Sequence, residues 1–157
     1  MIYIMMGEKK GGNTMNRTIE RIKEKTIGRA GKSRVLHKAE AKSFDKPDEV
    51  RTFPKGKLEL ITIGGVTIGR GTFEPGWRWS TSVQPLVKTK SCEAPHFQYQ
   101  ISGTIRIVMD DGTELECKAG DVSLLPVGHD AWVVGDEPVV VVDFQGMVDY
   151  AKQSLGH

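Results

Sequence analysis

From Lys57 onward the chain is cut into short β-branched and aliphatic runs by Gly, Pro and Asp at intervals of about eight to twelve residues, a punctuation that admits strands and leaves no room for long helices. Residues 58–63 and 66–73 flank Gly64-Gly65, and 101–109 lead through Asp111-Gly112, a tight-turn dipeptide, into 113–117. Runs at 122–125, 131–134 and 139–144 follow, the last two joined by Gly135-Asp136-Glu137-Pro138. No helical period interrupts the series. That excludes doubly wound α/β folds, and with them a dinucleotide reading of Gly64, Gly65, Gly69 and Gly71. What is left is an all-β antiparallel barrel or jelly roll, a shape able to hold one small ligand inside.

The 157 residues exceed what such a body needs, and charge shows where the excess lies. Residues 1–42 carry eleven Lys and Arg against four acids, a balance of +7, which leaves eleven against sixteen, or −5, for the rest. The expected organisation is a basic N-terminal extension over 1–42, partly helical or disordered, a β-barrel over 43–148 and a C-terminal tail over 149–157. Ile19, Ile22 and Thr26 stand at helical spacing, so a short helix is expected over 16–27, ended by Gly28 and Gly31. The basic arm reads either as a solvated tail or, with less support because it lacks interleaved aromatics, as a contact for nucleic acid or a partner chain. No run approaches the roughly 18 apolar residues of a membrane span, and residues 1–6 are too short for a secretory core, so a cytoplasmic protein is expected. Cys92 and Cys117 are too few for a disulfide framework and are read as thiols.

The order of landmarks from Glu74 to Phe144 resembles the cupin family of small double-sheet β-barrels. Pro75-Gly76 resembles the turn before the first family motif, Tyr99-Gln-Ile-Ser-Gly103 its end, and Gly120-Asp121 with Pro126-Val-Gly128 the second motif. The resemblance covers residues 57–146 and implies a cupin-like double-stranded β-helix, or jelly-roll barrel, with a divalent metal in its lumen. It also exposes a departure. Cupins place a glutamate seven residues before the closing glycine, where this chain has His96, and a histidine five residues after the proline, where it has Ala131. There is no His-x-His pair, although Cys92 lies four residues before His96.

A different ligand set is therefore expected. His129 precedes Ala131 by two residues and shares its face on a strand, so Cys92, His96 and His129 together would supply one thiolate and two imidazoles with an open position. Such a set suits zinc or another divalent ion, with iron, manganese and nickel as the other candidates. Glu93 or Asp130 could complete it, against the parity of their neighbours. The plainer alternatives are a strand-start histidine bonded to a carbonyl, a turn histidine, and a small buried cysteine.

In His96-Phe-Gln-Tyr-Gln-Ile the residues alternate, His96, Gln98 and Gln100 on one face and Phe97, Tyr99 and Ile101 on the other. The resemblance turns the polar face into the lumen, where Gln98 and Gln100 would bind ligand, and leaves the apolar face to an N-terminal segment or a second subunit. Trp77 and Trp79 share a side of an extended chain, as the wall of a ligand pocket or as core and interface filling. The stretch between Trp79 and Cys92 is long enough to be a lid. The leading expectation is a barrel that binds a small polar molecule at an atypical metal site, the metal serving as Lewis acid or activator of a bound molecule if the protein is an enzyme. The rivals are a non-catalytic ligand sensor whose basic arm contacts nucleic acid or a partner, and a homodimerisation barrel.

Overall fold

The computed structural model describes residues 38–152; residues 1–37 and 153–157, and with them the helix expected over 16–27, lie outside the described residues. The strands are β1 (Glu49–Phe53), β2 (Gly56–Ile63), β3 (Val66–Phe73), β4 (His96–Ser102), β5 (Thr104–Met109), β6 (Glu114–Lys118), β7 (Val122–Leu125), β8 (His129–Val134) and β9 (Val139–Asp143). All pair antiparallel, in a six-stranded sheet of order β1-β2-β3-β9-β4-β7 and a three-stranded sheet of order β6-β5-β8. The result is a cupin-like jelly roll. Leu58, Phe73, Val139 and Val141 of the larger sheet share one apolar core with Ile105, Ile107 and Val133 of the smaller. No helix among the described residues is long and apolar enough to cross a membrane.

Alternation produces this core. In β4 the buried positions are His96, Gln98 and Gln100, and in β9 they are Val139, Val141 and Asp143, so each strand sends every second side chain inward. Two elements are local departures from the sequence expectation. The single run expected over 101–109 is broken at Gly103, whose φ of +70° turns the corner from β4 to β5, and a Cβ there would lie 2.7 Å from the Pro138 carbonyl oxygen. β1 carries no apolar alternation to announce it, since only Phe53 of its five residues is buried. It is an edge strand held by register with β2.

The stretch read as a lid contains two four-residue helical turns, Trp79–Ser82 and Gln84–Val87, with Pro85 in the first turn of the second. Both ends of the expected barrel are tied in further than the sequence suggests. Glu40 accepts a hydrogen bond from the Gly64 amide at 2.9 Å, and Lys42 pairs with Asp48 at 2.7 Å. At the other end Tyr150 and Ala151, expected in a tail, are buried. The Arg51 guanidinium donates to the carbonyls of Tyr150, Val148 and Met147 at 2.6, 2.9 and 3.3 Å and clasps that segment to β1.

Candidate metal centre

Two backbone contacts bring the predicted ligands together. Cys92 forms an isolated antiparallel bridge with His129, its amide donating to the His129 carbonyl at 2.9 Å and its carbonyl accepting from Gly128 at 2.7 Å. That places the thiol beside the first residue of β8. Across the barrel His96 opens β4, which pairs with β9 through Gln98 opposite Asp143. The ligand atoms of Cys92, His96 and His129 all lie within 4.8 Å of one another, and all three residues are buried. Cys92 Sγ stands 3.6 Å from His96 Nε2, and the two imidazoles meet edge to face with centroids 5.3 Å apart.

Each imidazole is oriented by its other nitrogen. His96 Nδ1 bonds the Asp143 carboxylate at 2.5 Å, and His129 Nδ1 bonds the Pro126 carbonyl at 3.0 Å. Both Nδ1 atoms are thereby committed, which reserves each Nε2 as the atom that can meet a metal. Asp143 is the residue the sequence reading missed. It is fully buried and accepts further bonds from the amides of Gln145 at 2.7 Å and Phe97 at 3.3 Å. Its signal was available, because an acid at the inward parity of a four-valine strand must find donors. The carboxylates considered instead lie elsewhere: Asp130 binds Arg78 and Ser80, and Glu93 is exposed.

The cluster is electrostatically self-consistent. Burial pushes the Cys92 thiol up, but hydrogen bonds from His129 and His96 outweigh it and bring it down to about 6. Burial likewise disfavours the His96 cation, and Asp143 with Cys92 overcomes that, holding the ring up at about 9. Around neutrality the metal-free pair is thiolate and imidazolium, and an entering cation would take the place of the proton on His96 Nε2. Cys117 has no such partners; burial raises its thiol.

A cavity of about 30 Å³ adjoins the cluster, walled by Trp77, Trp79, His96, Gln98, His129 and Tyr150. Both indoles of the predicted pocket wall are thus present, fully inside, while Arg78 between them points outward over Trp132, 4.6 Å from its ring centroid. The Trp77 Nε1 has no partner among the described residues. Gln98 lines the cavity as expected of a lumen residue, but Gln100 does not. The Gln100 amide donates instead to the carbonyls of Gly103, Cys117 and Ser102 at 2.8, 3.1 and 3.3 Å, holding the β4–β5 corner. A space of this size admits about one or two waters, or a metal ion with a bound molecule of that size.

The donor set fits a divalent ion, and so does the Cys92–His96 separation. Two neighbouring donors of a tetrahedral site with Zn–S near 2.3 Å and Zn–N near 2.05 Å stand about 3.6 Å apart, the separation found here between thiol and imidazole.

No family model and no curated protein matches the chain. Among solved structures it is similar to oxalate decarboxylase from Bacillus subtilis at pH 4.6, with 24% identity, 62% of this chain and 27% of that chain covered, and a TM-score of 0.45. A second structure of that enzyme, from work on its Mn(II) centres, gives 25% identity, 64% and 27% coverage and a TM-score of 0.42. The Vibrio parahaemolyticus protein VPA0057, of unknown function, gives 11% identity, 61% and 96% coverage and a TM-score of 0.46. The chain spans about a quarter of the length of the decarboxylase.

Proposed function

We propose that this protein is a metal-dependent, cupin-fold binder or enzyme for a small molecule, its divalent ion held by Cys92, His96 and His129. The observation that carries this reading is the committed Nδ1 on both histidines: Asp143 and the Pro126 carbonyl leave two Nε2 atoms beside one thiolate. A thiolate with two imidazoles favours zinc, iron or nickel over manganese, which prefers oxygen donors. Bound there, a metal would supply Lewis acidity at an open coordination position.

The chain's own residues do the rest. Asp143 fixes the His96 ring and balances positive charge in a site without bulk water. Gln98 and Trp77 line the small cavity, and the Trp77 Nε1, without a partner among the described residues, is a donor available to a molecule of water's size there. Tyr150, 5.6 Å from the His96 ring centroid to centroid, closes the space on the C-terminal side. Metal analysis of protein purified without added ions tests the reading. About one equivalent in the wild type, and little in His96→Ala and His129→Ala, supports it. Equal, near-zero metal in all three contradicts it.

A second surface supports self-association. Phe97 and Tyr99 of β4 stand opposite Leu124 and Val122 of edge strand β7, all facing outward, with Leu124 and Val122 at 69% and 64% exposure. Contiguous apolar surface along a sheet edge that is unpaired among the described residues is a pairing surface, and a second copy of this chain is the proposed occupant. Sedimentation of the wild type beside Leu124→Lys tests it: a dimer that the substitution dissociates supports it, and a monomer at every concentration contradicts it.

A further inference from the structure

The cavity beside the metal ligands, at about 30 Å³, has no room for an organic substrate. A larger space stands on the other side of the same residues. A cleft of about 390 Å³ opens between the 83–95 segment and the 146–152 segment, within the range of small-molecule sites. Cys92, one of the three candidate ligands, lies in its wall, and Tyr150 lies in the walls of both spaces, so the cleft meets the metal centre at these two side chains.

The chemistry of the cleft is one-sided. Val83, Val87, Ala94, Pro95, Val148 and Ala151 supply apolar walls. The one lysine in the described lining, Lys152, is paired with Asp149 at 2.7 Å, and Glu93 adds a further negative charge at the rim. A carboxylate ligand would meet apolar surface and net negative charge, with no uncommitted lysine or arginine in that lining to receive it.

We propose that this cleft binds an uncharged, largely apolar small molecule of the alcohol class, with its polar end directed at Cys92 and Tyr150. The cleft deepens the metal reading by naming the ligand class, and it rests on that reading only for the destination of the polar end. The apolar body lies between Val83 and Val148, where removal of its methylenes from water favours binding.

The test uses the full chain and ligand-observed NMR titration with 1-octanol, benzyl alcohol and oxalate. The two alcohols are expected to bind metal-free protein, and oxalate is not. Val148→Asp and Ala94→Phe, which charge and narrow the cleft, are expected to weaken octanol binding at least about tenfold. Val66→Asp, at an exposed valine outside the cleft, leaves it unchanged. The metal and cleft readings separate cleanly: His129→Ala loses metal while keeping octanol binding, and Val148→Asp keeps metal while losing octanol. No alcohol binding by the wild type, equal binding by both cleft variants, or oxalate binding tighter than octanol to metal-free protein would overturn the proposal.

Discussion

Replacing Asp143 by Asn removes one charge and one acceptor while keeping the shape of the side chain. The native carboxylate serves three donors, His96 Nδ1 on one oxygen and the amides of Phe97 and Gln145 on the other. An asparagine has a single acceptor oxygen. If its NH₂ faces His96, two donors oppose each other and the ring must move its proton to Nε2, the atom needed for the metal. If its NH₂ faces the backbone, the part-buried amides of Phe97 and Gln145 both lose their acceptor, against a single donor clash at the ring, so the first orientation is the cheaper one. Loss of a carboxylate behind a ligating histidine costs about 10- to 100-fold in metal affinity, or about 1.4–2.7 kcal/mol. Competition of the metal-free protein against a fluorescent zinc chelator at pH 7.5 measures it, with circular dichroism confirming the fold. Asp130→Asn is the control, because that carboxylate serves Arg78 and Ser80 away from the cluster, and it should bind zinc as the wild type does. Zinc affinity of Asp143→Asn within twofold of the wild type, with the fold intact, would refute the orienting role.

Three further outcomes are expected. In the metal-free protein the lowered Cys92 pKa contributes stability above its unfolded value near 9 that is lost as pH falls through about 6. The raised His96 pKa contributes stability below its unfolded value near 6.5 that is lost as pH rises through about 9. Between about pH 6.5 and 9 the gain at Cys92 therefore offsets the loss at His96 and thermal unfolding midpoints should stay level, whereas Cys92→Ala keeps only the His96 contribution and its midpoint should fall as pH rises across that range. Gly146 has φ +81° and a Cβ there would strike the Pro95 carbonyl, so Gly146→Ala should destabilise by about 1–3 kcal/mol in a denaturant titration. Arg51→Ala removes the clasp on three carbonyls of the 147–150 segment and should raise amide exchange there, leaving β4 and β9 protected; exchange unchanged at 147–150 would show that Tyr150 burial alone holds the segment.

The barrel was legible because short β-branched and aliphatic runs bounded by turn residues admit strands and little else, as at 66–73, 122–125 and 139–143. β1 was not, because Glu49, Val50 and Arg51 form an edge whose pairing partner, not its pattern, makes it a strand. Cys92, His96 and His129, which stand in separate segments, could be joined only through the resemblance to the cupin motifs, and the bridge between residues 92 and 129 brings them into one cluster. Asp143 and Tyr150 escaped for different reasons. The first was hidden in an apolar run whose inward parity went unread. The second approaches from a segment with no periodicity, held by Arg51 across nearly 100 residues of sequence, a long-range bond that no local pattern encodes. Gln100 shared the polar face of His96, yet carbonyls of the β4–β5 corner and β6 claimed its amide, and only three-dimensional placement decides between such partners and a ligand.

X-ray absorption at the zinc edge of the protein loaded with one equivalent tests the central claim most directly. One sulfur at about 2.3 Å and two imidazole nitrogens at about 2.0–2.1 Å are expected, with the sulfur lost in Cys92→Ser and one imidazole lost in His129→Ala. A shell of oxygen and nitrogen alone in the wild type, or a spectrum indifferent to both substitutions, would contradict the site.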